Sequence, residues 1–280
     1  MPPPKIDLHA HTTYSDGTFT PSELVSLALE RELTTLAVSD HDSTEGLPEA
    51  FIAAEGTGLE IVPATEFSTV YDGQACHMLC YWMDLEDAEF QSELRRLRED
   101  RYDRGRRMVE KLRELGYPVS FERVEEIAQG RNIVRPHVAE ALLELGVIES
   151  LDQAFTPELI GTGGRAYVEK HALDPLQALA LIKRAGGVAV IAHPGLWREG
   201  LGVSDDLIED LAANGLDGIE AAHTDHTPEM EARYRALAKR LGLVATGSSD
   251  CHGTRYDPVR LGTVTTDPEE YARLKEKKER

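Results

Sequence analysis

Short apolar, β-branched runs alternate with amphipathic stretches of helical period along most of this chain, the pattern of βα units that build a parallel sheet. Strands are predicted near "KIDLHAH", "TTLAVSDH", "LEIVPATEF", "ACHMLCYW", "GVAVIAHP", "DGIEAAH" and "GLVATGSSD". The helices between them carry clear end signals. In "TPSELVSLALE", Thr20 is an N-cap, Pro21 opens the helix and Glu23 completes a capping box. "DPLQALALIKRAGG", "SDDLIEDLAANG" and "TPEMEARYRALAKRLG" also begin on a capping residue and finish at glycine. The alternation breaks between about Leu85 and Gly164. There the long charged helix "EFQSELRRLREDRYDRGRRMVEKLRELG" and the shorter "RPHVAEALLELG" predict a helical insertion between the fourth and fifth strands. The expected organisation is a barrel of residues 1–84 and 165–280, with residues 85–164 as an inserted subdomain over its active face. The tail "EEYARLKEKKER" predicts a solvated terminal helix.

In the first strand, period-two alternation places Ile6, Leu8 and Ala10 on one face and Asp7, His9 and His11 on the other. A half-buried strand with its polar side in water would look the same. Imidazoles at i and i+2 are also how a strand end offers two neutral nitrogens to one metal, and the turn "SDGT" follows with Asp16. The remaining strands repeat the theme. The second runs into His41, the third into Glu66, and the fourth carries His77. After the insertion, "VIAHPG" supplies His193, "IEAAHTDHT" supplies His223 and His226, and "TGSSDCHG" supplies Asp250 and His252. Strand C-termini of a closed parallel barrel converge on one face, where side chains distant in sequence can meet. His137 and His171 fall outside this pattern and are expected to be structural.

Charge narrows the partners. Thirty Lys and Arg against fifty Asp and Glu give a formal charge of −20 in 280 residues, which argues against a long basic groove for duplex nucleic acid. An anionic substrate then needs metal ions or a few placed arginines. No apolar run approaches the ~20 residues of a membrane span, and "MPPPKIDLHA" has no export-type apolar segment, so a cytoplasmic protein is expected. Cys76, Cys80 and Cys251 are too few for a disulfide framework and read as small buried residues.

Taken in order, "DLHAHTTYSDGT", "SDHDS", "AHPG" and "SSDCHG" resemble the polymerase and histidinol phosphatase (PHP) family through the length of the chain. The resemblance implies a distorted seven-stranded (β/α)7 barrel holding two or three divalent metals. Carried onto matching positions, it implies His9, His11, Asp16, His41, Glu66, His77, His193, Asp250 and His252 as metal ligands, with Glu66 bridging two ions. The chain departs from the common "GGSDFHG" at Ser248 and Cys251. Neither change removes a ligand, and Cys251 is expected to alter the outer wall of the site. A mixed imidazole and carboxylate shell suits Mn²⁺, Zn²⁺ or Fe²⁺ better than Mg²⁺. The resemblance selects Mn²⁺.

Clustered divalent metals suit phosphoester hydrolysis, since they lower the pKa of bound water and neutralise phosphoryl oxygens during in-line attack. The expected nucleophile is metal-bound hydroxide, and no G-x-S-x-G serine motif competes with it. His223 is the candidate acid or phosphate contact, with a helix-start neighbour of Thr227 as its structural alternative. Within the insertion, Arg101, Arg104 and Arg135 are candidate substrate contacts. Related family members with this insertion use arginines there to hold a second phosphate, although such arginines can equally form a solvated, salt-bridged face. These features imply a metal-dependent phosphoesterase acting on 3',5'-nucleotide bisphosphates or the 5' ends of short oligonucleotides. The alternatives are a histidinol-phosphate phosphatase, a non-catalytic metal-binding module and an amidohydrolase on a similar barrel.

Overall fold

The protein, seen as a computed structural model, is described over residues 3–129, 133–169, 172–196 and 203–279, which leaves His171 outside the described residues. All seven predicted strands form, and they pair in chain order within one sheet. They are β1 (Ile6–Asp7), β2 (Thr35–Val38), β3 (Glu60–Tyr71), β4 (Gln74–Tyr81), β5 (Val188–Ala192), β6 (Gly218–His223) and β7 (Val244–Ser248). The helices predicted between strands are α1 (Pro21–Glu30), α6 (Pro175–Arg184), α7 (Asp205–Ala213) and α8 (Pro228–Leu241), and the tail forms α9 (Pro268–Lys278). Thr20 and Glu23 make the expected reciprocal capping box at α1. A further helix, α2 (Leu47–Ala54), lies between β2 and β3 without the side-chain cap that would have announced it.

One expectation needs correcting: the barrel is not parallel throughout. β4 runs antiparallel to both β3 and β5, with Phe67 opposite Met78 and Leu79 opposite Val190. The cause is the two-residue turn Asp72–Gly73, where both residues have positive φ, 49° and 74°. Asp-Gly in this conformation joins adjacent antiparallel strands, whereas a parallel return needs a crossover of about a dozen residues or more. His77 therefore sits in mid-strand, opposite Ser68 and Ala192, and not at a C-terminal strand end.

Alternation along the strands separates the core into layers. Val188 and Val190 of β5 join Leu79, Tyr81, Val62, Ile6 and Leu8 inside the barrel, while Ala189 and Ile191 face the outer helices with Met78 and Cys80. His77 has the parity of Leu79 and Tyr81, and Glu66 that of Val62 and Ala64, so both point inward above the apolar layers. The first strand departs from its expected pattern. It ends at Asp7, and the alternation lapses: Ile6 and Leu8 point into the barrel, Ala10 packs with α1 and α2, and Asp7 turns toward β7.

Between β4 and β5 lie α3 (Ala88–Glu114), α4 (Phe121–Ile127), α5 (Arg135–Glu144) and a 3-10 turn, Leu151–Phe155. Phe90, Leu94 and Leu97 of α3 pack on the barrel's outer core, whereas Met108, Val109 and Leu112 join Val124, Val138, Leu142 and Ile160 in a separate cluster. α3 thus belongs to both cores. In α5, His137 is only 3% exposed and its Nδ1 accepts the Val134 backbone N–H at 3.3 Å.

Burial, aided by the charges of Arg255 and Arg101 against that of Asp16, pushes the His137 imidazole down to about 4 from 6.5. Above pH 6.5 the ring is neutral folded or unfolded. As pH falls toward 4, the unfolded chain takes up a proton that the folded one refuses, at a cost of up to about 3 kcal/mol. Urea unfolding across this window should show a shallower loss of stability for His137→Gln than for the native chain, and parallel curves would contradict this account.

Candidate metal centre

The nine predicted ligands meet. His11, Asp16, His41 and His252 offer ligand atoms within 4.8 Å of one another, as do His9, Glu66 and His193; His9, His11 and Asp250; and His41, Glu66 and His77. The groups share members, so they form one continuous cluster at the mouth of the barrel. Glu66 is its centre. Its Oε2 lies 3.4 Å from His9 Nε2, 3.3 Å from His11 Nε2 and 2.9 Å from His41 Nδ1, while its Oε1 lies 2.9 Å from His77 Nδ1 and 3.0 Å from His193 Nε2. Asp250 Oδ1 sits 3.3 Å from His9 Nε2 and 3.1 Å from His11 Nε2, and Asp16 Oδ1 sits 3.3 Å from His252 Nε2. His193 and Asp250 hold these positions with φ of 26° and 50°, a left-handed region that side-chain-bearing residues enter at some cost and mainly at functional sites.

Burial alone would raise the Glu66 carboxyl, yet His41, His77 and His9 hold it well below the ordinary carboxylate range. Asp16 and Asp250 are likewise depressed against their burial, chiefly by His252 and His41 for the first and by His9 and His252 for the second. The same fields act on the imidazoles. Burial would lower His11, but hydrogen bonds to Asp250 and Glu66 and the charge of Asp16 lift it to about 10. The cluster therefore draws positive charge to its centre. Divalent cations fit this demand, because imidazole nitrogens and carboxylate oxygens already converge there. His9 Nε2 and His11 Nε2 face each other at 3.1 Å, with Asp250 Oδ1 between them at 3.3 and 3.1 Å.

Several supporting carboxylates lie outside the nine predicted ligands. Asp40 accepts from Thr12 N at 2.8 Å, Thr12 Oγ1 at 2.6 Å and Ser15 Oγ at 2.6 Å, and so fixes the turn between His11 and Asp16. Asp7 accepts from Ser249 N, Ser249 Oγ and Gly262 N at 3.1, 2.5 and 2.8 Å, closing β1 against the end of β7. Glu220 of β6, fully buried, lies 3.1 Å from His9 Nδ1 and accepts the His193 backbone N–H at 2.7 Å. The signal for Glu220 was its place as a lone carboxylate inside the apolar run "GIEAA", since a buried charge of this kind requires partners.

The three predicted arginines also come together. Arg101, Arg104 and Arg135 line one small cavity with Gly105, Met108, Ile133, Val134 and Val138. Arg101 is already engaged: its Nε and Nη2 lie 2.7 and 2.6 Å from Asp42 Oδ2, and it bonds Ser68 Oγ. Asp42 follows the ligand His41, and Ser68 lies opposite His77, so the cavity adjoins the metal cluster. Arg104 donates to Val168 O at 2.8 Å and makes no ion pair among the described residues. Burial, then the charge of Arg135 beside it, brings Arg104 down to about 10.

Missed in the sequence, Arg255 donates to Asp16 O at 2.5 Å and pairs with Glu140 of α5, a second tie between the insertion and the metal loops. His223 places Nε2 3.4 Å from Asp250 Oδ2, while its Nδ1 accepts the Asp225 backbone N–H at 3.1 Å. His226 is occupied structurally, accepting from Gly195 N at 3.1 Å and donating to Ala221 O at 2.8 Å. Cys251 does not form the outer wall of the site. Its side chain is buried with Leu24 and Leu36 behind the sheet, and its backbone bridges Ala10 to close the barrel.

Comparison with known proteins agrees with this architecture. The PHP domain family matches residues 7–144, the span that holds His9, His11, Asp16, His41, Glu66 and His77. A 5'-3' exoribonuclease of Haemophilus influenzae is 33% identical over 89% of this chain and 90% of its own length. The 3',5'-nucleoside bisphosphate phosphatase of Chromobacterium violaceum is 33% identical over 88% of this chain and 87% of its own. A crystal structure from Bifidobacterium adolescentis, described as a candidate metal-dependent phosphoesterase, superposes with a TM-score of 0.91 at 34% identity, covering 99% of this chain and 97% of that one. With such identity extending over nearly the whole of each chain, this protein belongs to the PHP domain family.

Proposed function

We propose that this chain hydrolyses phosphate esters of small nucleotides that carry more than one phosphate, a 3',5'-bisphosphate or the 5' end of a short oligonucleotide. One observation supports the reading: a cluster of nine converging side chains of metal-ligating type adjoins a cavity in which Arg104 is half-buried beside Arg135 and forms no ion pair among the described residues. A site for a single phosphate needs the first feature only. The second adds positive charge for a further phosphate, in a protein whose net charge of −20 would otherwise repel it.

His9, His11, Asp16, His41, Glu66, His77, His193, Asp250 and His252 would hold two or three ions, and Mn²⁺ is the proposed occupant for this nitrogen and oxygen donor set. When bound, such ions polarise phosphoryl oxygens and bring water toward ionisation near neutral pH. The chain's own residues do the rest. The Asp225 N–H fills the lone pair on His223 Nδ1, which leaves the proton on Nε2, facing the cluster. From there it can donate a hydrogen bond to a phosphoryl oxygen or to the leaving oxygen. Arg104 and Arg135 would grip the second phosphate and set the distance between it and the scissile bond. In this reading residues 1–84 and 165–280 form the catalytic barrel, and residues 85–164 form the subdomain that covers it.

Phosphate release from adenosine 3',5'-bisphosphate, adenosine 3'-monophosphate and histidinol phosphate separates the alternatives. Mn²⁺-loaded protein should turn over the bisphosphate, and His193→Ala should lower kcat by about 100-fold or more. Arg104→Ala should raise KM for the bisphosphate about 10- to 100-fold with little change for the monophosphate, matching the loss of one charge-assisted contact. Turnover confined to histidinol phosphate would overturn the substrate assignment.

Metal loading should also release protons. His11, lifted to about 10, is protonated at neutral pH in the metal-free protein and must lose that proton to bind an ion. Apparent affinity should therefore rise with pH between 6 and 9. Titration calorimetry in two buffers of different ionisation enthalpy measures the proton count, and a count of zero at pH 7 would contradict the ligand assignment.

A further inference from the structure

His9 has two ring nitrogens with different surroundings. Nε2 faces His11, Glu66 and Asp250 inside the cluster, and Nδ1 faces Glu220 on the far side of the ring. Glu220 belongs to none of the groups of converging ligand atoms among the described residues. Its two oxygens serve two neighbours, both lying within 3.4 Å of His9 Nδ1 and one of them also bonding His193. Oε1 lies 3.1 Å from His9 Nδ1, at the end of the first strand, and Oε2 accepts the backbone N–H of His193 at 2.7 Å, at the end of the fifth. The carboxylate is fully buried, and a buried carboxylate accepts and does not donate. Nδ1 of His9 must then carry a hydrogen, and Nε2 is left with the lone pair that can ligate.

We infer that Glu220 is a positioning residue: it holds His9 in the Nδ1–H tautomer and anchors the His193 backbone, so that two ligands from separate strands present their nitrogens to one ion. A carboxylate behind a metal-bound imidazole commonly sets tautomer, ring orientation and basicity, with effects of about 10- to 100-fold on metal affinity. The present case is unusual in its second contact. One side chain serves two ligands at once, and β6 thereby fixes the relative placement of β1 and β5. The inference rests on the reading of His9 and His193 as metal ligands.

Glu220→Gln is the informative variant, because it keeps shape and supplies only one acceptor oxygen for two N–H donors. If the amide NH2 faces His9, the ring must move its proton to Nε2 and lose the ligating lone pair. If the carbonyl faces His9, the His193 N–H loses its acceptor. Zn²⁺ binding by chelator competition should show one ion bound about 10- to 100-fold more weakly than in the native protein. Substrate KM at saturating metal should be unchanged, and kcat should recover as metal is added in excess. In Zn²⁺-loaded protein, long-range ¹H–¹⁵N spectra should place the His9 proton on Nδ1 in the native chain and lose that pattern in Glu220→Gln, a change that a purely packing role would not produce.

Native-like Zn²⁺ affinity and an unaltered His9 pattern in Glu220→Gln would overturn the inference. Should that variant fail to fold, Glu220→Asp retains both oxygens on a shorter arm, and native-like affinity there would overturn it equally. His193→Ala separates the two levels of the argument. If it loses an ion while Glu220→Gln does not, only the positioning role falls; if it keeps every ion, the ligand assignment falls and the positioning role with it.

Discussion

Everything at the mouth of this barrel depends on the buried carboxylate of Glu66, which five imidazoles surround at 2.9–3.4 Å. A carboxylate taken out of water is stable only when positive charge and hydrogen bonds replace its hydration. Here the replacement comes from β4 and the loops after β1, β2 and β5, so placing one charge requires most of the sheet to be in register. Divalent cations held there, as proposed, would take the place of protons on these imidazoles as the positive charge facing the carboxylates.

A second set of acids stands behind the ligands and does not compete with them. Asp40 is saturated by Thr12 and Ser15, Asp7 by Ser249 and Gly262, and Asp42 by Arg101 and the Ser68 N–H. Each of these joins a loop carrying a ligand to a different part of the chain. Their hydrogen bonds absorb their charge locally, which leaves Asp16, Glu66 and Asp250 as the carboxylates exposed to an incoming ion. The division of labour is electrostatic: a carboxylate with a full set of donors is a poor ligand, and one facing lone pairs is a good one.

In the proposed function the insertion would contribute specificity by the same logic. Its long helix reaches from the barrel's outer core to a core of its own, and Arg98, Arg101 and Lys111 each bond main chain or side chains beyond the helix itself. Two ion pairs, Arg101 with Asp42 and Arg255 with Glu140, secure it on opposite sides of the metal loops. Arg104 is held in place by the Val168 carbonyl and the Tyr167 ring, contacts that orient a guanidinium without neutralising it. A cation fixed there without an ion pair among the described residues suits the extra phosphate of the proposed substrate.

Much of this was legible in the chain before any fold was known. Period-two runs, capping residues and terminal glycines marked the seven strands and most helices, because those signals are local. The nine candidate ligands stood out since imidazoles and carboxylates recurred at strand ends, and a closed barrel brings such ends together. Tertiary structure decided the rest. β4 reversed direction because Asp72 and Gly73 adopt a turn too short for a crossover, which put His77 in mid-strand. Asp7, which alternation placed on one face with His9 and His11, turned to the barrel seam once β1 ended after two residues, and Cys251 is buried as a small residue beside it. Glu220, Asp40, Asp42 and Arg255 gained their roles only from partners 25 to 239 residues away. A side chain's chemistry is written in its own identity, but whether it ligates, orients a ligand or closes the barrel depends on which donors lie within 3 Å or so, and long-range packing alone supplies those.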